Sequence, residues 1–245
     1  MSSFRKNKIR KEVAGFYDKT AGEFSRTRNN WWSELDFIHK YIAPKGKLLD
    51  FGCGNGRLLE MIKSYDLRLD YTGVDLSEQM IGIAKNRYPE GNFLVLSKEN
   101  ELPFNEEEFQ TVVSIAVFHH FTPSMAKGAL QEMNRVLKPG GRVIATSWYL
   151  WDNSKLRYLL RSFWRNILAF RNLKAGEIPF SYSSEKGRQT YWRFCYWWSK
   201  EELEKSFKKQ EFKIIESGFT LDKKGFKRNI YVIAEKRFGQ EAEGV

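Results

Sequence analysis

The sequence predicts an α/β protein built on a doubly wound, mostly parallel sheet, and three observations carry that expectation. An apolar strand, Leu48-Leu49-Asp50-Phe51, runs straight into Gly52-Cys53-Gly54-Asn55-Gly56 and then a helix-like stretch, Arg57 to Lys63. Further short apolar runs alternate with helical patterns as far as residue 147, which is the rhythm of βα units. The second apolar strand, Leu69 to Val74, ends in Asp75, nineteen positions after Gly56. Glycines just past a strand let the backbone turn tightly and let a ligand approach without meeting a Cβ. Ligands of open α/β sheets lie in that crevice, beside the start of the next helix. The expected architecture is Rossmann-like: one domain over residues 1–245, a seven-stranded sheet with helices on both faces, and a C-terminal antiparallel hairpin.

Taken in order, residues 5–24 read as an amphipathic helix, with Ile9, Val13, Phe16 and Tyr17 on one face. Residues 1–43 would form a helical cap, whose second helix runs from Trp31 to Ile42. Pro44-Lys45-Gly46-Lys47 turns into the first strand. Met80 to Tyr88 is a helix closed by Pro89-Glu90-Gly91, Phe93 to Leu96 a third strand, and Thr111 to Val117 a fourth. The end of the fourth, Phe118-His119-His120-Phe121, falls at the same carboxyl edge as the glycine loop and Asp75. Residues 123–137 form a helix, and Leu137-Lys138-Pro139-Gly140-Gly141 turns into the fifth strand, Arg142 to Ser147.

Residues 148–198 break the alternation. A helix opens at Trp148 and contains Arg157, Arg161 and Arg165; a polar run over 181–188 has loop composition. Tyr191-Trp192-Arg193-Phe194-Cys195-Tyr196-Trp197-Trp198 follows. Ser199 caps the next helix, with Glu202 three positions on. Phe212 to Ser217 and Asn229 to Lys236 make the closing hairpin, and Gln240 to Val245 a frayed end.

The glycine loop narrows the ligand. A P-loop would need a Gly-Lys-Ser/Thr ending, and a dinucleotide fingerprint would place its third glycine one position later. An acid at the end of the second strand can bond both hydroxyls of a ribose. Asp50, the loop residues Gly52, Cys53, Gly54, Asn55 and Gly56, and Asp75 are therefore the candidates for a nucleoside-type cofactor.

Charge points to a second ligand. The chain carries +11, but residues 1–31 carry +5, residues 151–245 carry +8, and the middle is −2. Basic flanks on a near-neutral cofactor domain suit a polyanion such as RNA, or an acidic membrane surface, or plain solvation. Arg26 and Arg28 beside Trp31-Trp32 can grip a carboxylate or phosphate and stack a base, or simply form a capping turn. The rings and arginine of residues 191–198 suit RNA contact, packing in the core or as a hydrophobic lid, or an interfacial helix. His119 and His120 either place a substrate beside the cofactor or are structural. Adjacent histidines with no third ligand in view are weak grounds for a metal, and none is expected. Two cysteines give no disulfide framework, no apolar run is long enough to span a membrane, and the first residues lack a signal-peptide core. A cytoplasmic location is the expectation.

Asp50-x-Gly-x-Gly-x-Gly with Asp75 and Leu76-Ser77-Glu78-Gln79-Met80 resembles the class I S-adenosylmethionine methyltransferases. Tyr17-Asp18, Phe24-Ser25-x-Thr27-Arg28 and Trp31 are similar to the first segment of a narrower family, the tRNA wobble-uridine carboxymethyl methyltransferases. So are Ser114-Ile115-Ala116-Val117-Phe118-His119-His120, Tyr191-x-Arg193-Phe194 and the strand from Asn229 to Ile233. The resemblance implies S-adenosylmethionine as cofactor, with Tyr17, Leu76, Met80 and Ser114 added to its site. It implies tRNA as substrate and methylation of a carboxylate, in some members with a small activating partner protein. With a carboxylate acceptor, which needs to be held and not deprotonated, Arg28, His119 and His120 are the candidates for catalysis, and Arg26, Arg28, Trp31, Tyr191, Arg193 and Arg228 those for the substrate. The family usually has an Asp four positions before Leu102; here Lys98 stands there, and the adjacent Glu99 is the candidate for the adenine. A small-molecule O- or N-methyltransferase, or a non-catalytic RNA-associated subunit that binds the same cofactor, are the alternatives.

Overall fold

The structure, a computed structural model, describes residues 1–28, 30–150, 174–183 and 190–238. The main sheet has seven strands: β1 (Lys45–Phe51), β2 (Arg68–Asp75), β3 (Asn92–Val95), β4 (Phe109–Ser114), β5 (Leu137–Trp148), β8 (Phe212–Leu221) and β9 (Lys227–Lys236). Their spatial order is β3-β2-β1-β4-β5-β9-β8. The first five are parallel, while β9 runs antiparallel to β5, and β8 to β9. The order reverses between β1 and β4, so a crevice opens there at the carboxyl ends, where such sheets bind ligands.

Strand residues alternate between two cores, as a period of two requires. Leu49, Val112, Val143 and Ala145 face one core, which α4 (Pro123–Val136) and α5 (Lys200–Lys208) cover. Leu48, Val113 and Ile144 face the other, under α2 (Leu58–Ser64) and α3 (Glu78–Arg87). Local signals set the helix starts: Thr122 caps α4 with Pro123 in its first turn, and Ser199 caps α5. No described helix is long and apolar enough to cross a membrane.

The first helix, α1 (Ser3–Thr27), is longer than its amphipathic stretch. The segment after it differs from the expected helix: Trp32 is extended, and a 3₁₀ helix spans Ser33–Tyr41. Trp31 donates its backbone N–H to Glu60 of α2 at 2.8 Å, which ties the segment ahead of the 3₁₀ helix to α2. Strand β5 begins earlier than expected, at Leu137, and takes the Pro-Gly-Gly turn into its irregular first half. Trp148 does not open a helix; it ends β5 opposite Asn229. Residues 151–173, 184–189 and 239–245 lie outside the described residues, and with them the expected arginine-bearing helix, most of the polar loop and the terminal residues.

A second, two-stranded sheet was not expected. In it β6 (Glu177–Ser183) pairs antiparallel with β7 (Thr190–Tyr196). Much of the aromatic segment is core: Phe194, Cys195, Tyr196 and Trp198 are buried, and the Trp198 indole donates to the Phe118 carbonyl at 2.8 Å.

Candidate active site

The glycine loop forms the floor of a cavity of about 1250 Å³, measured out to its open mouth. Gly52 has φ +77°, and a Cβ there would sit 2.4 Å from Val117 Cγ2. The backbone N–H groups of Gly52 and Cys53 both donate to the Val74 carbonyl, which ties the loop to β2. Asp75 accepts from Gly54 N–H at one carboxylate oxygen and from Ser77 N–H at the other, both at 2.9 Å. Each oxygen keeps a lone pair for the two hydroxyls of a ribose. Burial raises the Asp75 carboxyl above its ordinary range and takes Asp50, which accepts from Tyr71 Oη at 2.8 Å, to about 7. A cradle that a Cβ would fill, beside a pinned acid, fits the nucleoside half of S-adenosylmethionine.

Beyond the ribose position, Leu76, Met80, Leu96 and Glu99 line the cavity. Glu99 is 1% exposed and accepts from Arg10 Nε of α1 at 2.6 Å, while Lys98 turns outward to Glu101. The chain thus presents an acid to this end of the cavity one residue later than the family pattern, and α1 holds it in place.

The opposite wall comes from α1, the 3₁₀ turn Phe118–His120 and the end of β5: Tyr17, Arg28, Trp31, His120 and Trp148. A chain of hydrogen bonds fixes its protons. The Phe194 carbonyl can only accept, so His120 Nδ1, 2.9 Å away, carries the hydrogen. His120 Nε2 is then an acceptor and takes the Tyr17 hydroxyl proton at 2.9 Å. The Tyr17 oxygen accepts in turn from Arg193 Nη1 at 3.0 Å. Burial, and then the Arg193 charge, push His120 down to about 3, so the imidazole is neutral with its lone pair engaged. Arg193 is 1% exposed and lies behind the wall among the rings of Phe16, Tyr17, Trp148 and Phe180. Among the described residues, neither it nor Arg28 pairs with a carboxylate.

Several sequence candidates fall outside the cavity wall. Ser114 is buried at the end of β4 with no hydrogen bond to its hydroxyl. His119 stacks on Trp148 at 4.1 Å from behind, because the 3₁₀ turn aims only the second histidine at the cavity. Arg26 is exposed on the last turn of α1, and Tyr191 lies on β7 opposite Tyr182. Arg228 pairs with Asp222 at 2.7 Å in the β8–β9 hairpin. Trp32 lines the cavity beside Trp31, and Arg57 and Trp148 line it although no motif marks them; the position of Arg57 directly after the third loop glycine is the available signal.

The fold also brings Cys195 to His119 and His120, with the three ligand atoms within 4.8 Å of one another. That is the third donor the sequence did not display. Its chemistry is nonetheless poor for a cation: both His120 nitrogens are engaged, Arg193 hydrogen-bonds the thiol, and burial pushes Cys195 up to about 12.

Two buried groups give opposite pH dependences. His120 falls from 6.5 to about 3, so its contribution to stability is lost as pH drops through this interval. Asp50 rises from 3.8 to about 7, so its contribution is present in acid and lost as pH rises toward 7. Asp50→Asn removes only the second. Urea denaturation between about pH 4 and 6.5 is expected to show stability climbing more steeply with pH in this variant than in the wild type; equal slopes would refute the assignment.

Residues 49–145 match the family described as "Methyltransferase domain". The chain is 36% identical over 159 residues to the tRNA (carboxymethyluridine(34)-5-O)-methyltransferase alkbh8 of Xenopus tropicalis, covering 62% of this chain and 24% of that one. It is 34% identical over 140 residues to the Arabidopsis thaliana protein of that activity, covering 57% and 33% respectively. The chain thus spans about a quarter to a third of the length of these relatives. A SAM-dependent methyltransferase from Methanosarcina mazei superposes with a TM-score of 0.66 at 19% identity, over 86% of this chain and 100% of that one, a likeness of fold. Over residues 49–145 the chain matches a methyltransferase domain, on a class I methyltransferase fold whose cofactor is S-adenosylmethionine, and it resembles the tRNA wobble-uridine carboxymethyl methyltransferases.

Proposed function

We propose that the protein transfers a methyl group to the carboxylate of a 5-carboxymethyl-type wobble uridine in tRNA. The observation that carries this reading is the Arg193–Tyr17–His120 chain beside Arg28. It supplies positive charge and no free base. A phenol, amine or alcohol acceptor would need a group to take its proton. A carboxylate, with a pKa near 4, is already ionised at neutral pH and needs only to be held.

When bound, S-adenosylmethionine supplies an electrophilic methyl on a positively charged sulfur. The chain's own residues do the rest by placement. Asp75 holds the ribose and Glu99, fixed by Arg10, receives the adenine amino group. Arg28 lines the cavity at the end of α1, half-buried and with its guanidinium over Phe24, and grips one oxygen of the acceptor while leaving the other free to attack. His120 holds Tyr17 in position, and Trp31 offers a face to a splayed base. The basic flanks favour an RNA over a small acid.

The test uses labelled S-adenosylmethionine and tRNA from cells lacking the protein. Label should enter tRNA, be released by mild alkali as an ester requires, and appear by nucleoside mass spectrometry where a free acid stood before. Alkali-stable label, or transfer to small acids with none to tRNA, would refute the reading.

A further inference from the structure

The cavity holds a third cation that the acceptor does not need. Arg57 begins α2 directly after Gly56, is 7% exposed, and lines the cavity on the side of the glycine loop. Its Nη1 donates to the Asn30 carbonyl at 3.2 Å, its guanidinium lies 3.1 Å from the Trp32 ring centre, and its Nε has no hydrogen-bond partner. Glu60 on its own helix and Glu34 before it act on Arg57 only through space, without an ion pair. Glu60 receives Arg87 and Tyr88 on one oxygen and the Trp31 N–H on the other. Asp50, across the loop, is engaged by Tyr71.

A buried guanidinium without an acid costs free energy unless an anion completes it. Burial, then the charge of Arg28, lower Arg57 to about 9; burial, then the charge of Arg193, lower Arg28. Arg57 and Arg28 thus feel one another, as do Arg28 and Arg193, while Glu60, Glu34 and Asp50 act on Arg57 through space and none forms an ion pair with it among the described residues.

The reaction brings two carboxylates to this cavity, that of the acceptor and the α-carboxylate of the cofactor's amino-acid chain. Asp75 and Glu99 commit the β2–β3 side to ribose and adenine. The amino-acid chain must then extend over Gly52 toward the loop side, where Arg57 stands, while Arg193 backs the opposite wall. We propose that Arg57 anchors the α-carboxylate of the bound cofactor, with Arg28 standing between the two anions. The Arg57 anchor rests on S-adenosylmethionine as cofactor, and only the place given to Arg28 rests on the carboxylate acceptor proposed above.

Calorimetry without any acceptor tests it. S-adenosylhomocysteine carries the amino-acid chain, whereas 5′-methylthioadenosine keeps the nucleoside and thioether and lacks it. Arg57→Gln is expected to weaken S-adenosylhomocysteine by about 10- to 100-fold, the worth of charge-assisted hydrogen bonds, and to leave methylthioadenosine within about twofold. Arg57→Lys keeps the charge without the fork and should fall between. It also serves alone if the Gln variant does not fold, a selective loss for S-adenosylhomocysteine supporting the anchor. Equal losses for both ligands would make Arg57 a support of the loop, and no loss for either would remove it from the site; each overturns the proposal. Failure of the wild type to bind S-adenosylhomocysteine would instead count against the cofactor, and none of these outcomes bears on the acceptor.

Discussion

Gly52→Ala is expected to abolish measurable binding of S-adenosylhomocysteine, a loss of about 100-fold or more, and to destabilise the protein by about 2–4 kcal/mol. The two effects have separate origins. Gly52 sits at φ +77°, where an L-residue costs about 1–2 kcal/mol, and the new Cβ would lie 2.4 Å from Val117 Cγ2, which must move. The same Cβ stands in the crevice the cofactor occupies. Adding Val117→Ala relieves the collision alone, so the double variant should regain part of its stability in urea denaturation and none of its affinity in calorimetry. Binding within about threefold of wild type in Gly52→Ala would show that the loop does not form the cradle.

Arg193→Met should separate activity from stability in the opposite direction. Arg193 is 1% exposed, unpaired with any carboxylate among the described residues, and surrounded by four rings. Replacing a buried, uncompensated charge by an apolar side chain of similar length is often neutral or stabilising, and methionine packs well on aromatic edges. The urea midpoint is therefore expected to stay or rise. Methyl transfer should fall, because a positive charge about 7 Å from an anionic acceptor contributes about 2 kcal/mol at an effective dielectric of 20, or roughly 30-fold in kcat/KM. Affinity for S-adenosylhomocysteine should hold. A variant that unfolds readily, or one that turns over at the wild-type rate, would contradict this account of the buried cation.

The parts legible in the sequence are those written in one short segment. The strand Leu48–Phe51, its glycines and Asp75 reveal both the sheet and the cofactor crevice, since continuous apolar runs and glycine spacing are local signals. Cap residues Thr122 and Ser199 likewise mark their own helices. What was hidden depends on distant partners. Nothing near Trp31 announces that Glu60, 29 residues on, will take its N–H and tie the segment to α2. Tyr191–Trp198 leaves RNA contact and core packing both open in the sequence, and only the pairing with β6 decides that Phe194, Cys195 and Tyr196 are buried. Arg193 reaches Tyr17 from 176 residues away, and Phe194 sets the His120 tautomer from 74. Ser114, His119, Arg26, Tyr191 and Arg228 were sensible by motif or charge, but one step in register or one turn of 3₁₀ helix decides which side chains face the cavity.

The two-source construction of the cavity has a consequence for how such a protein can change. Gly52, Gly54 and Asp75 belong to the stretch that matches the methyltransferase family, whereas Tyr17 and Arg28 come from α1, and Trp148 and Arg193 from residues that follow it. On the proposed reading, most of the acceptor wall is encoded outside the stretch that holds the nucleoside, with His120 the exception that lies within it. Drift in the outer portions can retune what is modified while the inner portion keeps its nucleoside, provided Arg10 continues to clasp Glu99 across the seam.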